Sequence, residues 1–438
     1  MSTADALMGR GLRILNRVSA SPLIDRFGLR KPAERLLFLS SKNAFRAAEK
    51  VGRQFTAVQK LAKPARLPKA SGRALFDLTP SDEQQMLRDA VLAFANEQLR
   101  PAAVAADTAC STPAALLIQA AELGVALMGI PEELGGAGAE RSAVTNVLVH
   151  EAMAQGDLGL AVACLAPSAV STALVLWGDE NQQAKYLPAF TGESLPPAAL
   201  AIQEPRALFN PFELQSTAKK KAGGYVLNGV KALVPLAATA ELFIIAAQLE
   251  GAGPALFIVE ATAAGLNIDA EPAMGLRAAA TGTVTLKNVE LPGDALLADG
   301  AAEVYAECIS LSRIAWCALA VGCGQAALDY LIPYVNERVA FGEPISHRQS
   351  VAFNIANIGI ELEGMRLATL RAASRAEQGL DFARETAIAR KLCADKGVVI
   401  GSDAVQLLGG HGFIKEHPAE RWYRDLRAVG VMEGVVLV

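Results

Sequence analysis

The hydrophobic period changes twice along this chain, and that change limits the fold more than any other feature. On either side of a central stretch, apolar residues recur three and four positions apart, the repeat of a helix with one buried face. From about residue 196 to residue 292 the repeat is two. Residues 225–234, 242–248, 255–260 and 283–289 are short apolar or alternating runs bounded by Gly, Pro and Asn, and they read as strands. Helical periodicity returns over 300–335, 350–378, 384–405 and 419–425, read as four long helices with short connections, the pattern of a bundle. The expected fold is mainly α with a central β-domain. A basic arm and linker occupy 1–73, an N-terminal α-domain 74–195, a small middle β-domain 196–299 and a C-terminal four-helix bundle 300–438. With 52% hydrophobic and 20% charged residues, the composition is that of large buried helices and not of a disordered chain.

The first body helix is expected after Thr79, an N-cap, with Pro80 in the first turn. It continues through Met86, Leu87, Val91, Phe94 and Leu99, and further helices are read at 113–123, 142–155, 158–178 and 179–190. Residues 158–178 carry no charge over 21 positions, which meets the length of a membrane span. Gly159, Pro167, Ser168, Ser171, Thr172 and many Ala favour a helix buried inside a large α-domain instead.

Charge is unevenly spread. Residues 1–73 hold 16 Lys/Arg and 4 Asp/Glu, a net of +12, which leaves −16 on the remainder. A basic arm on an acidic body suits an anionic surface. Its amphipathic patches at 6–18 and 32–59 point to a membrane surface and not to nucleic acid. Packing on its own body or on a neighbouring subunit is the alternative. The six Cys are scattered and read as small core residues of a reducing compartment. No secretory signal is evident, so the expectation is a cytoplasmic protein, peripheral at the inner face of the membrane if the arm docks there. The four His lack metal-ligand spacing, and no metal is expected.

The chemistry-bearing residues gather near the C-terminus. Residues 336–349 read NERVAFGEPISHRQ, residues 402–425 read SDAVQLLGGHGFIKEHPAERWYRD, and residues 431–434 read VMEG. Glu433 follows Val431 and Met432, apolar neighbours that would raise a carboxyl pKa, and precedes Gly434, which permits close approach of backbone to a ligand. Arg338 carries the donor fork that suits a pyrophosphate. Gly409, Gly410 and Gly412 read either as a tight turn against a ligand or as a helix C-cap and loop. They do not form a dinucleotide-binding fingerprint of the Rossmann type.

Taken together and in this order, these segments resemble the acyl-CoA dehydrogenase family, from Leu75 to the C-terminus. An N-terminal match, the Ile130–Gly136 stretch IPEELGG, belongs to the same likeness. The resemblance implies FAD as cofactor and an acyl-CoA thioester as substrate. It implies electron-transfer flavoprotein as electron acceptor, a homodimer or homotetramer, and Glu433 as the catalytic base. Some members carry the base on a bundle helix just before an Arg; that position here is Ser312, before Arg313, so Glu433 has no evident rival. Arg338 and Gln349 would contact the FAD of a neighbouring subunit, and Gln406, Leu407, Gly409 and Gly410 form the second FAD segment. Gln203 and Pro235 fall where the family meets the flavin, while Arg313, Gly434 and Phe209 fall near the substrate. Met274-Gly275-Leu276-Arg277 matches a familiar β-domain loop, with Arg277 either a ligand contact or a structural ion-pair partner.

Departures from the family pattern bear on the cofactor. Gln203 and Phe209 replace hydroxyl residues of a flavin-contacting segment, Pro235 replaces another, and Val435 follows Gly434 where a Thr is usual. Two readings follow. Either FAD is held through backbone groups and the second subunit, giving a dehydrogenase that introduces an α,β double bond, as in fatty-acid β-oxidation. Or flavin binding has decayed, giving a non-catalytic acyl-CoA-binding or partner subunit.

Overall fold

The computed structural model of the chain describes residues 79–127, 129–136, 142–192, 195–271 and 273–436. The basic arm, and with it the membrane-surface reading, lies outside the described residues.

The first helix, α1 (Asp82–Phe94), is capped further along the chain than the sequence led us to expect. Ser81 rather than Thr79 is the N-cap: its hydroxyl accepts from the Gln84 amide, and the Gln84 side chain accepts from the Ser81 amide. This reciprocal pair satisfies two donors that helix geometry leaves orphaned, which a Thr79 cap would leave open. A π-helical turn at Ala95–Leu99 joins α1 to α2 (Arg100–Ala109). It falls just before Pro101, which has no amide proton to continue the ladder. Helices α3 (Ala114–Glu122), α4 (Ala143–Gly156), α5 (Leu158–Trp177) and α6 (Glu180–Phe190) complete the N-terminal layer. Helix α5 is long and apolar enough to cross a membrane, yet 78% of its most apolar window is buried within the protein. It is wedged between two apolar clusters, so its lack of charge reflects protein on every side.

The β-domain is a seven-stranded sheet: β1 (Ala198–Ala201), β2 (Thr217–Lys221), β3 (Gly224–Val234), β4 (Leu242–Leu249), β5 (Gly253–Glu260), β6 (Leu266–Ala270) and β7 (Gly282–Pro292). The order is β1-β4-β2-β3-β7-β6, with β5 paired to β4, and β4 runs parallel to β1 and β2. Three strands were not read from the sequence. Strand β1 is four residues long, and β2 and β6 are polar because one side of each meets solvent. Behind β1, Lys231 and Glu204 form a fully buried ion pair at 3.0 Å. Glu204 also accepts from the Gln215 and Ser216 amides, and Lys231 donates to the Ile202 carbonyl.

Three long helices, α7 (Ala302–Glu337), α8 (Gln349–Glu377) and α9 (Ala383–Leu408), form the C-terminal bundle. The fourth segment read as long is the seven-residue α10 (Ala419–Asp425). Much of the space beside α7 and α8 is taken by α4, whose Ala143 and Val147 pack with Ile314, Ala318, Leu370, Ala372 and Ala373. Gly322 allows α4 and α7 to approach closely: a Cβ there would lie 2.1 Å from the Glu151 carbonyl oxygen.

The buried pair generates a stability test. Glu204→Gln leaves the Lys231 charge uncompensated at full burial, and urea unfolding is expected to show a loss of about 3–5 kcal/mol. A loss below about 1 kcal/mol would show that water or another group reaches Lys231.

Candidate active site

Beyond α10 the chain makes a tight turn and enters a loop that neither helix nor sheet geometry supports. Glu433 sits at φ +53° and Gly434 at φ +92°, both in the left-handed region. The loop is held by its carbonyl groups. Arg313 of α7 donates from Nε and Nη2 to the Glu433 carbonyl at 3.1 and 2.8 Å. Arg390 of α9 donates from Nη2 to the carbonyls of Met432 and Gly434, the latter at 2.9 Å. On the opposite side the β-domain receives the loop's amides. Gly434 N–H donates to Gln203 Oε1 at 3.4 Å, and Val435 N–H to the Phe209 carbonyl at 3.1 Å. Gly434 is required twice over, by its φ and because a Cβ would lie 2.5 Å from Pro211 Cδ.

This anchoring aims the Glu433 carboxylate inward. The residue is 7% exposed, and its Oε2 is buried without a hydrogen-bond partner. Burial pushes its pKa up; Arg390, the Ser312 hydroxyl, Arg313 and the Trp316 indole pull it partly back. An unpaired oxygen on a buried, raised carboxyl is costly for stability and suited to taking a proton from something that enters.

A cavity lies against it. One lobe, of about 90 Å³, is lined by Glu433 and Met432, by Pro235 and Leu200 of the β-domain, and by Leu165 of α5 and Trp316 of α7 among others. A second lobe, of about 110 Å³, runs between α4, α5 and α7 past Asn146, Thr172, Trp177 and Cys308. The lobes share His150, Ala169, Leu200, Ser312 and Ala315 as walls.

The residues singled out from sequence separate into two groups. Glu433, Gly434, Arg313, Gln203 and Pro235 converge on this loop and cavity. Phe209 belongs to the same neighbourhood only through its carbonyl; its ring is fully buried in an apolar cluster and lines neither lobe. Arg338 and Gln349 lie elsewhere, exposed at the end of α7 and the start of α8. Twenty-five positions along one helix put Arg338 about 37 Å from Arg313. Gln406 is exposed and Leu407 is buried in the core, while Gly409 and Gly410 are open, with no other group within 4 Å of where a Cβ would stand. Beside Arg338, the Phe341 ring is 96% exposed. Arg277 is taken by Asp107, whose carbonyl accepts from its Nε at 3.0 Å, so the ion-pair reading of that residue holds.

Arg390, His150 and Trp316 were not found from the sequence. Arg390 sits in a helix with basic neighbours at Arg384 and Lys391, and nothing in its local pattern marks it as buried. Ser312, in the sequence only a position without a carboxylate, lines both lobes.

The loop geometry carries a prediction. Gly434→Ala forces a left-handed non-glycine residue against Pro211, and thermal or urea unfolding is expected to show destabilisation of about 1–3 kcal/mol. An unchanged midpoint would mean that the loop can relax away from the β-domain.

Three family models match the chain in order. They are described as acyl-CoA dehydrogenase N-terminal domain (residues 81–193), middle domain (199–289) and C-terminal domain (300–436). The chain is 31% identical over 364 residues to an acyl-CoA dehydrogenase of Bacillus subtilis, covering 81% of this chain and 95% of that one. Among solved structures it is similar to butyryl-CoA dehydrogenase from Megasphaera elsdenii, with a TM-score of 0.77, 26% identity, and coverage of 83% of this chain and 97% of that one. It is also similar to PigA solved with FAD and proline, with a TM-score of 0.76, 26% identity, and coverage of 82% and 96%.

Proposed function

Because the chain belongs to the acyl-CoA dehydrogenase family, we propose that it is an FAD-dependent dehydrogenase that introduces an α,β double bond into an acyl-CoA thioester. The observation that carries this reading is the buried Glu433 carboxylate with its unpartnered Oε2 on the wall of a cavity. Glu433 takes the proton from the carbon next to the thioester carbonyl. Its pKa, raised by burial, brings the carboxylate closer to the carbon acid it must deprotonate. Arg313 and Arg390 fix the backbone on both sides of it, so that orientation is set before substrate arrives. The apolar walls exclude water and strengthen every charge interaction inside.

The residues present fit FAD. The lobe at Glu433 is walled by Pro235 and Leu200 of the β-domain on one side and by the bundle on the other, and Gly409 and Gly410 stand open to a ligand. Gln203 and Pro235 would hold the flavin end. Arg338, Gln349, Gln406, Leu407, Gly409 and Gly410 would hold the adenine end for a second copy. Bound there, the flavin supplies the acceptor for the hydride that leaves the β-carbon. The departures from the family pattern are absorbed without loss of this space. Gln203 is tied to the Gly434 amide, and the Phe209 ring is packed in the core. These contacts favour the catalytic reading over the flavin-poor one. The separation of Arg338 and Gln349 from the cavity, and the bare Phe341 beside them, favour a homo-oligomer in which that surface meets another copy. Electron-transfer flavoprotein is the proposed electron acceptor.

In purified holoprotein, an acyl-CoA thioester is expected to bleach the flavin band without oxygen. Glu433→Gln should slow bleaching by about 10²-fold or more while FAD stays bound; normal bleaching in that variant sinks the assignment. Only the ionised carboxyl accepts a proton, so the bleaching rate should rise with pH through a midpoint above about 4.3, the ordinary Glu value. Arg390→Met removes a charge that holds this pKa down, so the midpoint should move to higher pH; no movement would separate Arg390 from the base. Phe341→Asp should shift the sedimentation coefficient towards that of a monomer and weaken FAD retention.

A further inference from the structure

The second lobe of the cavity is the part of the site that the dehydrogenation chemistry leaves without a role. It adjoins the Glu433 lobe, with which it shares five lining residues, and so lies where acyl carbons beyond the reacting pair would extend. Its lining is mostly apolar but carries several polar side chains. Asn146, His150, Ser168, Thr172 and Ser312 all contribute to it, between apolar residues such as Leu311 and Ile314.

His150 sets the character of this lining. It lies on α4, where its Nδ1 is 2.7 Å from the Asn146 carbonyl oxygen. A carbonyl only accepts, so Nδ1 carries the proton and Nε2 is left as an acceptor. Burial pushes the imidazole pKa down, which keeps the ring neutral. No Lys, Arg, Asp or Glu is among the described residues lining this lobe. A terminal carboxylate or ammonium on the acyl group would therefore enter a low-dielectric space without a counter-charge. A plain methyl end would leave the His150 acceptor unpaired.

We propose that the second lobe selects acyl groups carrying a neutral hydroxyl on their distal part, which donates to His150 Nε2, with Asn146 and Thr172 beside it. The inference rests on the assignment of this cavity to the acyl group of a thioester substrate. It makes His150 a specificity-determining residue: it acts on which thioesters are held in place for proton abstraction at Glu433.

The test uses FAD-loaded protein and two matched pairs, pentanoyl-CoA and hexanoyl-CoA against their ω-hydroxy counterparts. The hydroxylated member of at least one pair is expected to have a kcat/KM about tenfold or more above its parent. His150→Phe should abolish that preference, raising KM of the hydroxylated thioester more than KM of its alkyl parent. Thr172→Val, a smaller change, should narrow the preference if His150→Phe does not fold. A wild-type preference for the alkyl members, a stronger preference for a carboxyl-terminated thioester, or an unchanged ratio in both variants overturns the proposal. If no thioester reduces the flavin, the dehydrogenase reading fails by itself. Calorimetry with the non-reacting 3-thia analogues of the same pairs then decides the inference. About tenfold tighter binding of the hydroxylated analogue, lost in His150→Phe, supports it; equal binding overturns it.

Discussion

The site depends on keeping one carboxylate out of water with an oxygen to spare. Left alone, such a group would turn to solvent or take up a proton, because burying an ion without partners is expensive. Here the cost is met by the backbone and not by the carboxylate itself. Arg313 and Arg390 bind three successive carbonyls, those of Met432, Glu433 and Gly434, and leave Oε2 of the side chain without a partner. Burial pushes the Arg313 pKa down, and the neighbouring Arg390 charge adds to that. A flexible loop with a neutral anchor would satisfy the local hydrogen bonds more cheaply. It would not hold Glu433 in a left-handed backbone against a cavity.

Other ion pairs brace the layers that converge on this loop. Asp157 caps α5 through the Leu160 amide and pairs with Arg421 of α10 at 2.7 Å. Asp107 at the end of α2 takes a bidentate contact from Arg424, at 2.9 and 3.0 Å. Asp425 accepts from the Leu276 amide of the β-domain, and burial with Asp157 nearby pushes its pKa up to about 7. The short helix α10 is therefore a junction: one turn of it touches the N-terminal helices, the sheet domain and the bundle. That explains why two turns suffice where the periodicity alone suggested a long helix. Its stability comes from what it connects and not from its own length.

The close approach of α4 and α7 has a functional counterpart. Gly322 brings the two helices together at one level. At another level the same pair lines the second lobe, with Asn146 and His150 contributed by α4 and Leu311 and Ser312 by α7. The chamber persists because it is bounded by long, well-packed helices instead of mobile loops, and side chains on such elements keep their positions.

The sequence by itself determined the order of layers, the burial of α5 and the place of Glu433 before Gly434. Each is carried by local pattern: a change of hydrophobic period, a run without charge, a glycine where φ must be positive. It did not reveal β1, β2 or β6, because short or half-exposed strands lack a distinctive alternation and exist through their partners. Nor did it reveal Arg390, His150 or Trp316, which lie 43, 283 and 117 positions from Glu433 in the chain. Only the tertiary structure decided that Phe209 turns its ring into the core and that Arg277 serves Asp107. It also decided that Arg338 and Gln349 face outward, far from the carboxylate in the same chain. The physical reason is the same in each case. Period and spacing describe what a segment does with its own neighbours, whereas the direction of a single polar side chain is settled by whichever distant group can satisfy it.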